Sequence, residues 1–258
     1  MTLWRDDFQL TGQVAVVTGG SRGIGRAVAE LLAQLGAHVV VNYVNDREAA
    51  DEVVDLLKAN GVDSFAYKAD VASVDEAEAL INSAKARFGR VDILVCSAGI
   101  WEGSPVETLT EELWDKTLNI NLKGTWAVCR AAVRVMKQQR SGSIVIVSST
   151  AGQRGEAGYS NYAASKGGQI SFVKSLAEEL GESHIRVNAV APGWVDTQMT
   201  SEALGDEQRR RRIASEIPIG AIATPDDIAK PIAFLCTSWA KHITGEVLNV
   251  NGGSVLCG

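Results

Sequence analysis

The chain has 258 residues, of which 46% are hydrophobic and 22% charged, with 25 Lys and Arg against 31 Asp and Glu for a net charge of −6. A chain of this length and composition buries its own core, which excludes a disordered, fibrous or disulfide-stapled protein. The acidic balance speaks against a nucleic-acid partner, and no apolar run reaches the about 18 residues that cross a bilayer. Residues 1–10 include Arg5, Asp6 and Asp7, hold no signal-like apolar core and read as an N-terminal tail, so the expected address is the cytoplasm.

In chain order, Val14–Thr18 is a short apolar run that reads as a buried parallel strand. Gly23–Leu35 has helical spacing, with Ile24, Val28, Leu31, Leu32 and Leu35 on one face, and Gly36 stops it. The following elements are a strand at His38–Tyr43, a helix at Asp46–Asn60, a strand at Ser64–Lys68, a helix at Val74–Phe88 and a strand at Val91–Cys96. One long helix is expected over Glu111–Gln139, then a strand at Ser143–Ser148, a helix at Tyr159–Leu180 and a strand at Ile185–Val190. Met199–Ser215 is polar and helical, Asp226–Cys236 is helical, and Val247–Val250 is a last short strand. This alternation predicts an α/β fold of one domain, 1–258: a doubly wound parallel sheet of the Rossmann type, about seven strands with helices on both faces.

Three glycines, Gly19, Gly23 and Gly25, punctuate Thr18-Gly19-Gly20-Ser21-Arg22-Gly23-Ile24-Gly25 between the first strand and the first helix. Side chains there would keep a pyrophosphate from the backbone N–H groups of the helix N-terminus, so the spacing reads as a phosphate loop. Tyr162 and Lys166 are four apart on a helix and share a face. An ammonium beside a phenol favours the phenolate, so the Tyr162 pKa is expected to fall. Ser148 and Ser149 end a strand, as do Ser97, Ala98 and Gly99, and Pro192 and Gly193 follow another. All these pieces belong at the carboxyl edge of a parallel sheet, where ligands bind. The cysteines Cys96, Cys129, Cys236 and Cys257 form no CxxC pair, and His38, His184 and His242 lie far apart, so no metal site is expected.

Together these residues resemble the short-chain dehydrogenase/reductase family in its single-domain form, over Val14 to Gly253. Thr18–Gly25 matches the family's TGxxxGxG cofactor loop, and Asp70-Val71 its adenine contact. Ser97-Ala98-Gly99 matches its NAG with Ser in place of Asn, and Pro192-Gly193, Val195 and Thr197 fall in its nicotinamide-holding PGxxxT segment. The resemblance implies a catalytic set of Asn121, Ser149, Tyr162 and Lys166. Tyr162 is then the general acid or base, Ser149 holds the substrate oxygen, Lys166 holds the nicotinamide ribose and Asn121 holds a water that relays protons from Lys166. Ile243–Glu246 and Asn249–Gly253 resemble the C-terminal segment of bacterial 3-oxoacyl-carrier-protein reductases. The implied activity is reduction of a ketone, a 3-oxoacyl thioester among the candidates, with other alcohol, sugar or ring substrates and a non-catalytic NADP-binding regulator as alternatives.

The second strand ends Asn42-Tyr43 with no carboxylate for ribose hydroxyls, Arg22 sits in the phosphate loop, and Asp46 reads as a helix cap. NADP(H) is therefore expected over NAD(H), with Ser21, Ile24 and Tyr43 among its contacts. Trp101, Gln153, Arg154, Tyr159 and Trp194 are expected to line the substrate pocket, and residues 198–217 to form a lid over it. Arg209–Arg212 reads as a solvated helix face. Apolar residues on several helix faces, including Val128, Ala131, Ala132, Val135, Ile170, Phe172, Val173 and Leu176, suggest contact with further subunits, and the resemblance implies a homotetramer.

Overall fold

A computed structural model describes residues 8–257. Seven parallel strands form one sheet: β1 (Val14–Thr18), β2 (His38–Tyr43), β3 (Ser64–Lys68), β4 (Ile93–Cys96), β5 (Gly142–Val147), β6 (Ile185–Pro192) and β7 (Val247–Val250), in the order β3-β2-β1-β4-β5-β6-β7. The chain leaves β1 towards β2 on one side and reaches β4 on the other, so a topological switch point opens between β1 and β4.

Alternation along the strands sorts the core into two layers. Ala15, Val17, Val39, Val41, Ile93, Val95 and Val145 face α1 (Gly23–Gln34), α2 (Arg47–Ala59) and a late helix, Pro225–Cys236. Val16, Val40, Leu94, Cys96, Ile144, Ile146 and Val187 face α3 (Val74–Phe88) and two further helices, Gly124–Gln139 and Ser160–Leu180. The helices start where the sequence supplies caps. The Asp46 side chain accepts from Ala49 N, that of Ser73 from Glu76 N, and Thr224 and Asp227 cap each other's backbone ahead of Pro225. Gly89 ends α3 in the left-handed region at φ 77°, where a glycine carries no penalty.

Some boundaries differ from expectation. The long helix is interrupted: α4 (Glu111–Leu118) and α5 (Gly124–Gln139) are joined by a π-helical turn, Asn119–Lys123. Hydrophobic spacing cannot show this turn, because it adds only one residue to the repeat. A short helix, α6 (Ala151–Arg154), precedes α7 (Ser160–Leu180) and has no apolar periodicity to announce it. Residues 198–217 divide into a 3₁₀ turn at Gln198–Thr200, α8 (Ser201–Leu204) and α9 (Glu207–Glu216), and α10 is Pro225–Cys236. Leu10 is not tail but core: it is fully buried, and its N–H donates to Leu35 O at 2.8 Å. Residues 1–7 of the expected tail lie outside the described residues.

The apolar helix faces divide. Val128, Ala131, Ala132, Val135, Val173 and Leu176 are buried within the chain, in the layer against β4, β5 and β6, whereas Ile170 and Phe172 stay partly exposed. The large apolar side chains left exposed on α4 and α5 are instead Trp114 and Trp126.

Candidate active site

The loop after β1 is shaped by what it cannot hold. A Cβ on Gly25 would lie 2.2 Å from the Gly19 carbonyl oxygen, and one on Gly19, whose φ is +63°, would lie 3.0 Å from the Ala98 backbone. The glycines therefore let the first turn of α1 and the loop after β4 close round a backbone cradle at a helix N-terminus, which suits a phosphate. Gly23, at φ +54°, faces the methyl of Thr197 across the crevice. Thr18 Oγ1 accepts from the N–H groups of both Ser97 and Ala98 at 3.1 Å, which fixes the loop after β4 to the end of β1. Ser21 is buried, Ile24 packs on the core, and exposed Arg22 donates to Gln198 Oε1 at 3.1 Å.

A residue that the sequence reading passed over organises this half. Asn42 is buried; its Oδ1 accepts from Gly19 N at 3.3 Å, and its Nδ2 donates to the carbonyls of Tyr43, Tyr67 and Ala69. A polar residue in an apolar strand, it ends the run Val39-Val40-Val41 in the sequence. Tyr43 beside it is buried, and Asp46 is committed to its cap. Arg47, exposed and paired with Asp51, also interacts electrostatically with Tyr43. The end of β2 thus presents Arg47 and carries no carboxylate within the strand itself. Asp70 accepts from Ala72 N at 2.9 Å, and buried Val71 packs where a Cβ on Gly124 would come within 2.8 Å.

The reactive side chains meet beyond the ends of β5 and β6. Ser148 turns inward, its hydroxyl donating to Lys166 O at 2.9 Å. Ser149 Oγ accepts from Ala151 N at 3.1 Å, and its hydroxyl lies near enough to the Tyr162 phenol to favour the phenolate. Lys166 is buried and donates from Nζ to Val147 O at 2.7 Å, with Nζ 5.6 Å from the centre of the Tyr162 ring. Asn121, in the π turn, is fully buried. Its side chain brackets Ile100, accepting from Ile100 N at 2.9 Å and donating to Ile100 O at 3.0 Å, and it also donates to Ser165 Oγ. Its carbonyl accepts from Thr125 Oγ1 and Gln169 Nε2, both at 2.7 Å. Neighbouring Asn119 is exposed. A Cβ on Gly99 would meet Asn121 Oδ1 at 3.2 Å and Lys166 Nζ at 3.7 Å, so Gly99 sits between them. Across the site, Pro192 O accepts from Thr150 N, Gly193 packs on Asn251, Val195 is buried, and Thr197 and Thr200 cap the turn that follows.

The expected lowering of the Tyr162 pKa is absent. Burial pushes the phenol up to about 12, the Ser149 hydroxyl pulls it down, and the charge of Glu156 pushes it up further. Burial also brings Lys166 down to about 8. The dry pocket disfavours the charged form of both groups, with Lys166 Nζ 5.6 Å from the centre of the Tyr162 ring.

Of the expected pocket residues, three converge. The Trp101 and Tyr159 rings stack at 4.7 Å, and Trp194 meets Trp101 at 5.7 Å and 89°. Trp194 also packs on Leu204, Ile213 and Ile217, a small cluster that ties α8 and α9 to the pocket wall. Gln153 turns towards β7, donating to Asn249 Oδ1 at 2.6 Å, and Arg154 is exposed. Sequence reading missed Glu156, half-buried and bonded by Trp101 Nε1 at 3.4 Å; a carboxylate between the reactive Ser and Tyr was its only signal. Among Arg209–Arg212, three side chains pair with carboxylates: Arg210 with Asp196, Arg211 with Glu207 and Arg212 with Glu216.

A family model described as enoyl-(acyl carrier protein) reductase matches residues 18–254. The 3-oxoacyl-[acyl-carrier-protein] reductase FabG of Staphylococcus aureus strain Mu50 is 44% identical over 239 residues, 93% of this chain and 96% of its own. The 3-oxoacyl-[acyl-carrier-protein] reductase of Synechocystis sp. is 42% identical over 248 residues, 96% of this chain and 98% of its own. A crystal structure of a candidate short-chain alcohol dehydrogenase from Sinorhizobium meliloti 1021 matches with a TM-score of 0.92 at 36% identity, over 96% of this chain and 98% of that one. The structure of gox2181 matches at 0.93 and 32% identity, over 98% and 99%.

Proposed function

The chain belongs to the short-chain dehydrogenase/reductase family, an oxidoreductase family that works with a nicotinamide nucleotide, and from that premise we propose an NADPH-dependent reductase that turns a ketone into a secondary alcohol with Tyr162 as proton donor. The observation that carries the reading is the meeting of Ser149, Tyr162 and Lys166 in the crevice that also holds the glycine cradle. The nicotinamide supplies the hydride when bound. Ser149 and Tyr162 offer two hydroxyls to one carbonyl oxygen, where charge develops during reduction. A phenol held near 12 stays protonated at neutral pH and delivers its proton only to a strongly basic oxygen, as an alkoxide is. Lys166 is placed to hold ribose hydroxyls and to stabilise the tyrosinate that forms. Asn121 fixes Ile100, and with it Gly99, beside Lys166; a water relaying protons from Lys166 would share the Asn121 carbonyl with Thr125 and Gln169.

Arg22 and Arg47 near a carboxylate-free strand end favour a 2′-phosphate, hence NADP(H) over NAD(H), with Gly19, Ser21, Gly23, Ile24, Gly25 and Tyr43 forming the adjoining wall. Residues 198–217 serve as the lid, hinged on the cluster round Trp194. The exposed Trp114 and Trp126 support assembly through α4, α5 and α7 into a homotetramer, which sedimentation at micromolar concentration tests. Among the described residues no helix is long and apolar enough to cross a membrane, and a cytoplasmic enzyme is the reading we adopt.

The names of the relatives point to a 3-oxoacyl thioester as the first substrate to assay. NADPH consumption with a short 3-oxoacyl thioester, run beside NADH and beside Tyr162→Phe, is expected to need both NADPH and Tyr162. Turnover that survives in Tyr162→Phe would overturn the assignment.

A further inference from the structure

One face of α7 runs Tyr162, Lys166, Gln169, Val173 and Leu176, at steps of four, three, four and three. The first two are the reactive pair and the last two are core. Gln169 stands between them, fully buried, where an apolar side chain would pack at less cost. Its Nε2 donates to Asn121 O at 2.7 Å and to Thr125 Oγ1 at 2.8 Å, and Thr125 Oγ1 in turn donates to Asn121 O at 2.7 Å. The three groups close a triangle in which each hydrogen has its own acceptor. That fixes the sense of the amide, since a flip would set Oε1 against the Asn121 carbonyl oxygen. Oε1 then has no partner among the described residues. A buried acceptor left unpaired costs stability, so what recommends this amide is the pair of bonds it donates. What they hold is the π turn. Gly124 N donates to Asn119 O, five residues back, and the turn approaches α7 so closely that a Cβ on Gly168 would lie 2.8 Å from Leu122.

We propose that Gln169 is a positioning residue for the reaction: it clamps the π turn so that Asn121 braces the loop after β4 beside Lys166. The proposal deepens the reading above and rests on Lys166 and Tyr162 acting together in reduction. The line of contacts is continuous. Asn121 holds Ile100 by its N–H and its carbonyl, and Gly99 next to it lies between Asn121 Oδ1 and Lys166 Nζ. Asn121 Nδ2 also donates to Ser165 Oγ, which bonds the Tyr162 carbonyl at 2.7 Å. Without the Gln169 bonds the Asn121 carbonyl loses its tie to α7. The side chain that brackets Ile100 then shifts with the turn, and so does the wall beside Lys166. Gln169 acts on the reactive pair through Asn121.

Gln169→Met tests it, because Met keeps the length and nearly the volume of Gln while removing the donor. With NADPH and the short 3-oxoacyl thioester, kcat is expected to fall by about tenfold or more, as slight misplacement of a reactive group costs. The NADPH dissociation constant, read by nucleotide fluorescence, should stay within about threefold of its former value. Thr125→Val removes the shared hydroxyl and should lower kcat in the same direction. Combined with Gln169→Met it should cost much less than the product of the two separate losses. In hydrogen exchange, the Ile100 amide is expected to speed up by about tenfold or more in Gln169→Met, with the Val145 amide inside the sheet unchanged. If Gln169→Met does not fold, Thr125→Val carries the same readouts. A kcat within about threefold of the parent chain, losses that simply multiply, or equal acceleration at Ile100 and Val145 would each overturn the proposal. The exchange measurement needs no ketone and so separates the proposal from the reading it rests on. Faster Ile100 exchange in a protein that reduces no ketone would sink the reductase assignment and leave the clamp standing, whereas reduction that Gln169→Met leaves intact would do the reverse.

Discussion

The two halves of the crevice are built by different means. The half that holds the glycine cradle is made of backbone, with Gly19 and Gly25 kept open because a single carbon would collide, and with Thr18 and Asn42 buried as fixed clips. The half over the substrate is made of half-buried side chains, three rings and a carboxylate, and of the highly charged helix α9 held by only a few apolar contacts. A ligand part that never varies can be met by backbone, which tolerates almost no substitution. A part that varies among relatives is met by side chains on loops, which can change without disturbing the sheet.

The largest break falls on the seam between the halves. Tyr162→Phe is expected to lower kcat by about a thousandfold while NADPH binding persists, read by turnover and by nucleotide fluorescence. Lys166 at the same seam sharpens the contrast through stability. Its folded pKa, about 8, lies below its ordinary 10.5, so the unfolded chain holds a proton that the folded one has shed. Stability therefore rises with pH between those values and is lower below pH 8. Lys166→Met is expected to flatten that rise and to remove a cost on the order of 3 kcal/mol at neutral pH, less what the bond to Val147 contributed, as measured by denaturation at pH 7 and pH 10.

Within the backbone half, Gly25→Ala should cost about 1–3 kcal/mol in stability and more than tenfold in NADPH affinity, because a carbon 2.2 Å from a carbonyl oxygen forces the loop to move. Arg22→Ala tests the proposed 2′-phosphate contact: an about tenfold higher KM for NADPH with NADH little changed is expected, and equal effects on both would remove Arg22 from the 2′-phosphate. The smallest effect belongs to the other half. Arg211→Ala and Arg212→Ala break exposed ion pairs of α9 and should move stability by less than about 0.5 kcal/mol.

The same division decides what the sequence made legible. β1, β2, β3 and β7 lie where alternation and flanking glycines put them, and the glycine cradle reads directly because its residues are required by sterics. Ser149, Tyr162 and Lys166 come together as the resemblance implied, and Ser148 and Asn119, their nearest look-alikes, are set apart by where they point and how far they are exposed. The π turn at Asn119–Lys123 stayed hidden because its cause is tertiary: the Asn121 carbonyl is drawn to Gln169 on α7, a partner 48 positions away. The Tyr162 pKa ran against expectation for a related reason. Spacing along a helix gives the charges, but the dryness of the pocket, which outweighs them, depends on every element packed round it.

Asn42 ties the outermost strand of the sheet to the phosphate loop, since one amide holds the carbonyls of Tyr67 and Ala69 with one end and the Gly19 N–H with the other. Edge strands are where a sheet opens first. Each time β3 frays, the loop loses its brace, so nucleotide affinity inherits the breathing of the sheet's edge. Linkage makes the traffic two-way: a bound nucleotide must slow hydrogen exchange in β3 and at the Ala69 amide that bonds Tyr43 O. The far edge of the sheet thereby becomes a reporter of occupancy at its centre.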